Sequence, residues 1–284
     1  MASSKHDTPE DNWWEHSQSY LRAYEDLDFL RLDELRPVRL QLELLKPEMT
    51  LQKHHIRSTI VVFGGTRIWE RHDAEARLDK LTKELAKKPD DERLQTLHRA
   101  AQKLLRLAHF YDEARTFGRI VSETNQGDGS IDYVIVTGGG PGIMEAANRG
   151  AHDIGAESIG FNITLPHEQF PNRYITPDLC FQFRYFAIRK MHFLLRAKAL
   201  VAFPGGYGTM DELFEALTLV QTQKVTPLPI VLMGREFWQD VLNIDALVEN
   251  GVIDPEDRDL FVYAETAQEA WDYIREFRRE NGDK

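Results

Sequence analysis

The stretch Pro204-Gly205-Gly206-Tyr207-Gly208-Thr209-Met210-Asp211-Glu212 combines a glycine-rich turn with a threonine and two carboxylates. It follows the apolar run Ala199–Phe203, which predicts a strand, and precedes a helical pattern over Met210–Gln221. Glycine lets the backbone turn with positive φ and lets a ligand approach closely. The start of the next helix supplies N–H groups and the positive end of the helix dipole. Together they make an anion cradle suited to phosphate. Gly138-Gly139-Gly140-Pro141-Gly142 offers a second one, between the strand Tyr133–Val136 and a helix starting near Ile143. The standard fingerprints fail in both. Ile143 stands where the dinucleotide pattern needs its third glycine, and no Lys-Ser or Lys-Thr completes a P-loop. Glu212 has two readings. It faces a ligand, or it is the third residue of a capping box, Thr209-x-x-Glu212, that only starts the helix.

These turns need a scaffold. Strands are expected at Thr59–Phe63, Tyr133–Val136, Ser158–Ile163, Leu179–Phe183, Ala199–Phe203, Pro229–Leu232 and Phe261–Tyr263. Helical patterns alternate with them: Ile143 to Gly155, Arg184–Ala197, Met210–Gln221, Glu236–Glu249 and a last helix opened by the capping box Thr266-Ala-Gln-Glu269. Asp254-Pro255 reads as a cap with proline in the first helical position. The strands are continuous apolar runs, as in a parallel sheet covered on both faces. The expected fold is α/β, a doubly wound, mostly parallel, Rossmann-like sheet over residues 56–284. Residues 1–55 form an extension with extra helices. In it the first ten residues read as disordered, apolar residues recur at helical spacing from Asn12 to Leu35, and Pro37 and Pro47 bracket a short helix over Leu40–Leu45. The charged stretch from His72 to Glu123 contains a helical stripe from Leu94 to Tyr111, with Pro89 separating two helices. Leu165 to Pro177 reads as an irregular loop.

Composition narrows the function. The chain has 284 residues, 42% of them hydrophobic, with 35 Lys plus Arg against 46 Asp plus Glu, a formal net charge of −11. Such a surface repels a nucleic-acid backbone, although a local nest of N–H groups still takes a small anion. Cys180 is the only cysteine, which excludes an intrachain disulfide and thiol-rich zinc sites. His54, His55 and His192 have no partners at metal-ligand spacing, so no metal is expected. No apolar run reaches membrane-spanning length and the N-terminus has no apolar leader core, so a cytoplasmic protein is expected.

Four segments, in order, resemble the LOG family, the cytokinin-activating phosphoribohydrolases often mislabelled as lysine decarboxylases. Pro204–Glu212 matches the family's PGGxGTxxE. Phe186-Ala-Ile-Arg189-Lys190-Met191 stands where the family has its Arg-Lys pair, with Phe186 and Ala187 replacing Met and His. Gly138–Glu145 resembles the family's second glycine loop, and Phe63-Gly64-Gly65-Thr66-Arg67 its first. The long N-terminal segment and the insert over residues 72–123 resemble the longer bacterial members. The resemblance implies hydrolysis of the N-glycosidic bond of a nucleoside 5′-monophosphate, of the AMP or cytokinin riboside type, with no cofactor, in a homodimer or larger assembly. It implies Glu212 and Arg189 as catalytic residues. Gly205, Gly206, Gly208 and Thr209 would hold the 5′-phosphate, Gly139 and Gly140 would line the opposite wall, and Arg67, Lys190 and Glu145 are further substrate-binding candidates.

Plainer roles stand beside these. Arg189 and Lys190 also fit a solvated helix face, and Glu145 a first-turn complement to the helix dipole. Asp211 and Glu215 fit an exposed like-charge pair, and Trp13-Trp14 a packing pair. A non-catalytic carrier of a phosphorylated cofactor would keep the glycine loops and need neither Glu212 nor Arg189.

Overall fold

The computed structural model describes Trp14 and residues 17–124, 131–164 and 170–281. The first ten residues, Trp13 and part of the loop after Thr164 lie outside the described residues. The chain divides into two compact units, Met1–Lys46 and Pro47–Lys284.

In the first unit the helix expected from Asn12 to Leu35 is broken. The helix α1 covers only Leu27–Arg31, between 3-10 turns at Gln18–Tyr20 and Asp33–Leu35. The Asp26 carboxylate accepts the Phe29 N–H at 2.9 Å and starts α1 there, while Leu32 turns extended and ends it. Tyr20, Leu21, Tyr24 and Leu27 are exposed, so their helical spacing does not mark a buried stripe within this unit. The helix α2 runs from Arg36 to Lys53, through both prolines expected to bracket a shorter one. Pro37 lies in the first turn, where an N–H has no intrahelical acceptor to lose; Pro47 is interior and removes one helix bond.

The second unit is a seven-stranded sheet. Its strands are β1 Thr59–Phe63, β2 Val134–Thr137, β3 Ser158–Ile163, β4 Cys180–Phe183, β5 Ala197–Ala202, β6 Ile230–Met233 and β7 Val262–Ala264. All neighbours pair in parallel, in the order β4-β3-β2-β1-β5-β6-β7. The helices are α3 Arg71–Lys87, α4 Glu92–Leu107, α5 His109–Glu123, α6 Ile143–His152, α7 Phe186–Leu195, α8 Tyr207–Gln221, α9 Arg235–Val241, α10 Ile244–Glu249 and α11 Ala267–Asn281. Two departures from the sequence pattern are local. The helix expected over Glu236–Glu249 divides at Leu242, because the Asn243 side chain accepts the Ala246 N–H and caps α10. The stripe from Leu94 to Tyr111 likewise divides at Ala108 into α4 and α5.

β1 is buried at all five positions because its alternating side chains feed two different cores. Val61 and Phe63 pack with Leu213 of α8 and Trp238 of α9. Ile60 and Val62 pack with Phe117 of α5, Ile143 of α6 and Trp271 of α11. This is the doubly wound architecture that continuous apolar strands call for. The chain reverses its direction of travel across the sheet between β1 and β5, where such folds open a crevice at the carboxyl ends of the strands. Among the described residues no helix is long and apolar enough to cross a membrane.

Candidate active site

The crevice at this switch point is stitched by backbone bonds. Phe203 N–H donates to the Phe63 carbonyl at 2.9 Å, Gly65 N–H to Pro204 at 2.9 Å, and Ile143 N–H to Gly65 at 3.2 Å. A Cβ on Gly64 would lie 2.5 Å from the Ile143 side chain, so the turn after β1 is held against α6 with no room for any other residue. Above these turns lies a cleft of about 370 Å³. Its walls come from the turns after β1 (Gly64, Gly65, Thr66) and β2 (Gly138), the end of β3 (Asn162, Ile163), Met144 of α6, and α7 and α8.

α8 begins earlier than the sequence suggests. Gly206 is its N-cap, in extended conformation and with no side chain to cap with, and Met210 N–H closes the first turn on the Gly206 carbonyl at 3.0 Å. Thr209 is therefore the third residue of the helix rather than its cap, and the capping box expected at Thr209-x-x-Glu212 does not form. The offset has a chemical result. The first-turn N–H groups of Tyr207, Gly208 and Thr209 have no intrahelical acceptor, and Gly206, Gly208 and Thr209 line the cleft. Glu212 lies four residues after Gly208 and three after Thr209, on the same helix face. Gly205 is set back from the cleft; a Cβ there would collide with the Thr209 hydroxyl, so its lack of a side chain lets Thr209 fold in.

Glu212 is 9% exposed. Burial pushes its carboxyl up to about 7, against the opposing pull of Lys190 and Arg189. Arg189 shares the cleft, its Nε donating to the Phe161 carbonyl at 2.7 Å and its guanidinium lying 5.1 Å over the Phe193 ring. Burial lowers its pKa and Glu212 raises it. A Cβ on Gly138 would come within 2.6 Å of Arg189 Nη2, so only glycine lets the guanidinium reach this position. Arg189 and Lys190 are thus not a solvated face. Lys190 Nζ sits 2.8 Å from Asp211 Oδ2, 2.8 Å from Glu215 Oε2 and 3.7 Å from Glu212 Oε2. Asp211 and Glu215, spaced as a repelling pair, are bridged by this one ammonium. Lys190 faces carboxylates and does not line the cleft.

The other candidates stand elsewhere. Gly139 and Gly140 are buried behind Gly138. Gly139 N–H donates to Thr137 Oγ1 at 3.0 Å, and the two carbonyls accept the Asn172 N–H at 2.8 Å and Asn172 Nδ2 at 3.1 Å. This second glycine loop is occupied with internal bonds. Glu145 accepts from the Tyr111 hydroxyl at 3.0 Å between α5 and α6, and Arg67 is exposed outside the cleft next to Thr66. Asn162, Met144, Thr66 and Tyr207 were not singled out by sequence reasoning. Only Asn162 gave a signal, as a polar residue in an apolar strand; its Nδ2 donates to the Phe181 carbonyl at 3.2 Å. Among the described residues no group of three or more His, Cys, Asp or Glu could hold a metal ion.

A family model described as "Possible lysine decarboxylase" matches residues 144–274. The chain is similar to "Cytokinin riboside 5'-monophosphate phosphoribohydrolase LOG3" of Arabidopsis thaliana, 33% identical over 153 residues that span 52% of this chain and 68% of that protein. Its similarity to LOG4 of the same plant, of the same description, is 31% over 153 residues, again 52% and 68% of the two chains. Among solved structures it is similar to the molybdenum cofactor binding protein of Rippkaea orientalis, with 18% identity and a TM-score of 0.44 over 59% of this chain and 87% of that one.

Proposed function

Since the chain belongs to the LOG family, we propose that it hydrolyses the N-glycosidic bond of a nucleoside 5′-monophosphate of the AMP or cytokinin riboside monophosphate type, releasing the free base and ribose 5-phosphate. One observation carries this reading. A helix N-terminus able to hold a phosphate and a desolvated carboxylate share one face of α8, one turn apart, with a guanidinium across the same cleft.

In this reading the 5′-phosphate lies against the N–H groups at the start of α8, around Gly206 and Gly208, with the Thr209 hydroxyl beside it and Gly205 making room. The ribose then reaches Glu212. As the bond between C1′ and the base nitrogen breaks, its electron pair leaves with the base and positive charge develops on the sugar; the Glu212 carboxylate stabilises that charge and takes a proton from the attacking water, whose hydroxyl bonds to C1′ while the proton ends on the departing base. Arg189 orients the substrate against this carboxylate and supports the charge that changes hands. Lys190 is a positioning residue: it holds Asp211 and Glu215 away from Glu212 and favours the ionised carboxylate. Phe186, Met144 and Tyr207 are the apolar surfaces left for the base.

The test is release of base and ribose 5-phosphate from AMP and from adenosine. Several charge-assisted hydrogen bonds to phosphate, each worth ~1.5–3 kcal/mol, give AMP at least a roughly hundredfold advantage in kcat/KM. Equal rates on the two remove the phosphate cradle; tight binding of AMP without cleavage leaves a carrier instead. The assembly is a homodimer or larger, built on apolar residues exposed along α7 and α8 away from this cleft (Met191, Leu195 and Phe214). Light scattering at micromolar concentration then gives a mass well above the 32.9 kDa of one chain.

A further inference from the structure

The second glycine loop makes room for two polar side chains. Gly138 admits the Arg189 guanidinium, and Gly139 does the same for Asn162: a Cβ on Gly139, whose φ is +74°, would collide with the Asn162 carboxamide. The two side chains share an anchor. Arg189 Nε donates to the carbonyl of Phe161, the residue before Asn162 in β3. Arg189 has a place in the proposed reaction. Asn162 lines the same cleft and so far has none.

The hydrogen bonds of Asn162 fix which way its amide points. Nδ2 donates to the Phe181 carbonyl at 3.2 Å and to Cys180 Sγ at 3.4 Å, both on β4. An amide turned the other way would set its oxygen against that carbonyl, acceptor against acceptor. The nitrogen is therefore committed to the protein and the oxygen is left over. Among the described residues Oδ1 has no hydrogen-bond partner, and it is not one of the unbonded polar atoms sealed in the interior, so it opens on the cleft. A side chain that elsewhere reads donors and acceptors alike is fixed here as an acceptor.

Its position says what it meets. In the order of the sheet β3 lies three strand spacings from β5, about 14 Å at about 4.8 Å each. The start of α8 follows β5, and Arg189, against Gly138 after β2, lies between. Around Asn162 the cleft is apolar, walled by Ile163, Met144 and Phe186. A nucleoside monophosphate laid with its phosphate on α8 and its C1′ at Glu212 brings its base to this end. We propose that Asn162 selects the base: Oδ1 accepts an N–H from an exocyclic amino group on the ring edge and repels a carbonyl oxygen in the same place. The inference rests on the proposed hydrolysis and adds a specificity residue to it, one that takes no part in breaking the bond. An aminopurine keeps the needed N–H whether its amine is free or carries one substituent; an oxopurine presents an acceptor instead.

The experiment compares AMP with IMP, which carries a carbonyl where AMP carries its amine. The parent should favour AMP in kcat/KM by at least about tenfold, and Asn162→Ala should remove most of that preference, chiefly by raising KM for AMP. A side chain that only ties β3 to β4 would lower both substrates together and keep the ratio. If Asn162→Ala melts too low to assay, Asn162→Ser is read in the same way. A second arm needs no turnover: in a Glu212→Gln background, titration calorimetry should show the preference for AMP over IMP falling by a similar factor when Asn162 is replaced. No preference in the parent, or a ratio unchanged in the variants, overturns the inference and leaves the hydrolysis standing. A parent that neither cleaves nor binds AMP overturns the proposed reaction, and this inference with it.

Discussion

The same four-residue spacing, Thr-x-x-Glu, occurs at the start of α8 and at the start of α11, and the two do different things. At α11, Glu269 N–H donates to Thr266 Oγ1 at 3.2 Å, and Glu269 Oε2 accepts the Thr266 N–H at 3.3 Å: a closed capping box on an exposed helix end. At α8 the helix has already begun at Tyr207, so Thr209 is the third residue of its first turn and Glu212 lies one turn inside it. The preceding residues make the difference. Pro204-Gly205-Gly206 brings the chain into the crevice in an extended form that lets a glycine carbonyl start the helix, whereas Thr266 is its own start signal. A motif's position in its helix, more than its letters, decides whether a carboxylate caps a backbone or faces a cavity.

The largest expected effect comes from removing the charge at α8. Glu212→Gln keeps the shape and loses the carboxylate; kcat on a cleaved monophosphate should fall about a hundred- to a thousandfold, the usual scale for one preorganised electrostatic group. Stability should move the other way. A buried carboxyl with its pKa raised from 4.5 to about 7 favours the protonated form, so the folded state loses stability as pH rises between those values. At pH 8 the glutamine variant should therefore be more stable than the parent, by up to about 3 kcal/mol, and the difference should vanish near pH 4. Denaturant melts at the two pH values measure this. A variant that turns over like the parent would return Glu212 to a structural role.

A smaller effect separates Lys190 from both. In the proposed reaction Glu212 acts as the carboxylate, so kcat/KM of the parent should rise with pH through an acid limb near 7. The charged groups facing that carboxyl are Arg189 and Lys190 from α7 and Asp211 and Glu215 from its own helix. Lys190→Met removes one lowering influence and frees two carboxylates, and should move the limb upward by about half a unit to one unit while the plateau rate changes little. An unmoved limb would leave Lys190 as a surface bridge. The smallest effect belongs to α11. Glu269→Ala should cost about 1 kcal/mol of stability, as lost caps do, and leave kcat and the pH profile as they were. A change in activity there would mean that the two Thr-x-x-Glu sites are not independent.

Much of this was legible in the amino-acid order. Continuous apolar strands alternating with helices gave the doubly wound parallel sheet, and the turn between Ala202 and Tyr207 stood out as a place for an anion. Three things were not legible. Whether a glycine loop is free or occupied depends on partners far along the chain: Asn172 closes the loop at Gly139 and Gly140, and nothing within that loop announces it. Whether a charged pair is solvated depends on which side of a helix meets the sheet, and Arg189 and Lys190 each found a buried partner. The helix start at Tyr207 was hidden because a glycine cap has no side chain to signal it. In the N-terminal segment the failure was of another kind. Helical spacing of aromatic residues over 12–35 carried no cap information, and Asp26, a strong cap, cut the pattern in two.

The turns after β1 and β5 are joined by peptide groups alone: Phe203 to Phe63, and Gly65 to Pro204. A floor made of main chain depends on the glycines and Ile143 that let the turns come so close, and not on the side chains of the rim. Mutation can exchange Phe186, Met144 or Tyr207 along the rim without loosening the bonds beneath. The molecule thus divides its vocabulary. One part of the cleft is written in backbone and resists drift; the other is written in side chains and is free to be rewritten, so that, under the proposed reaction, chains with the same floor can come to accept different bases.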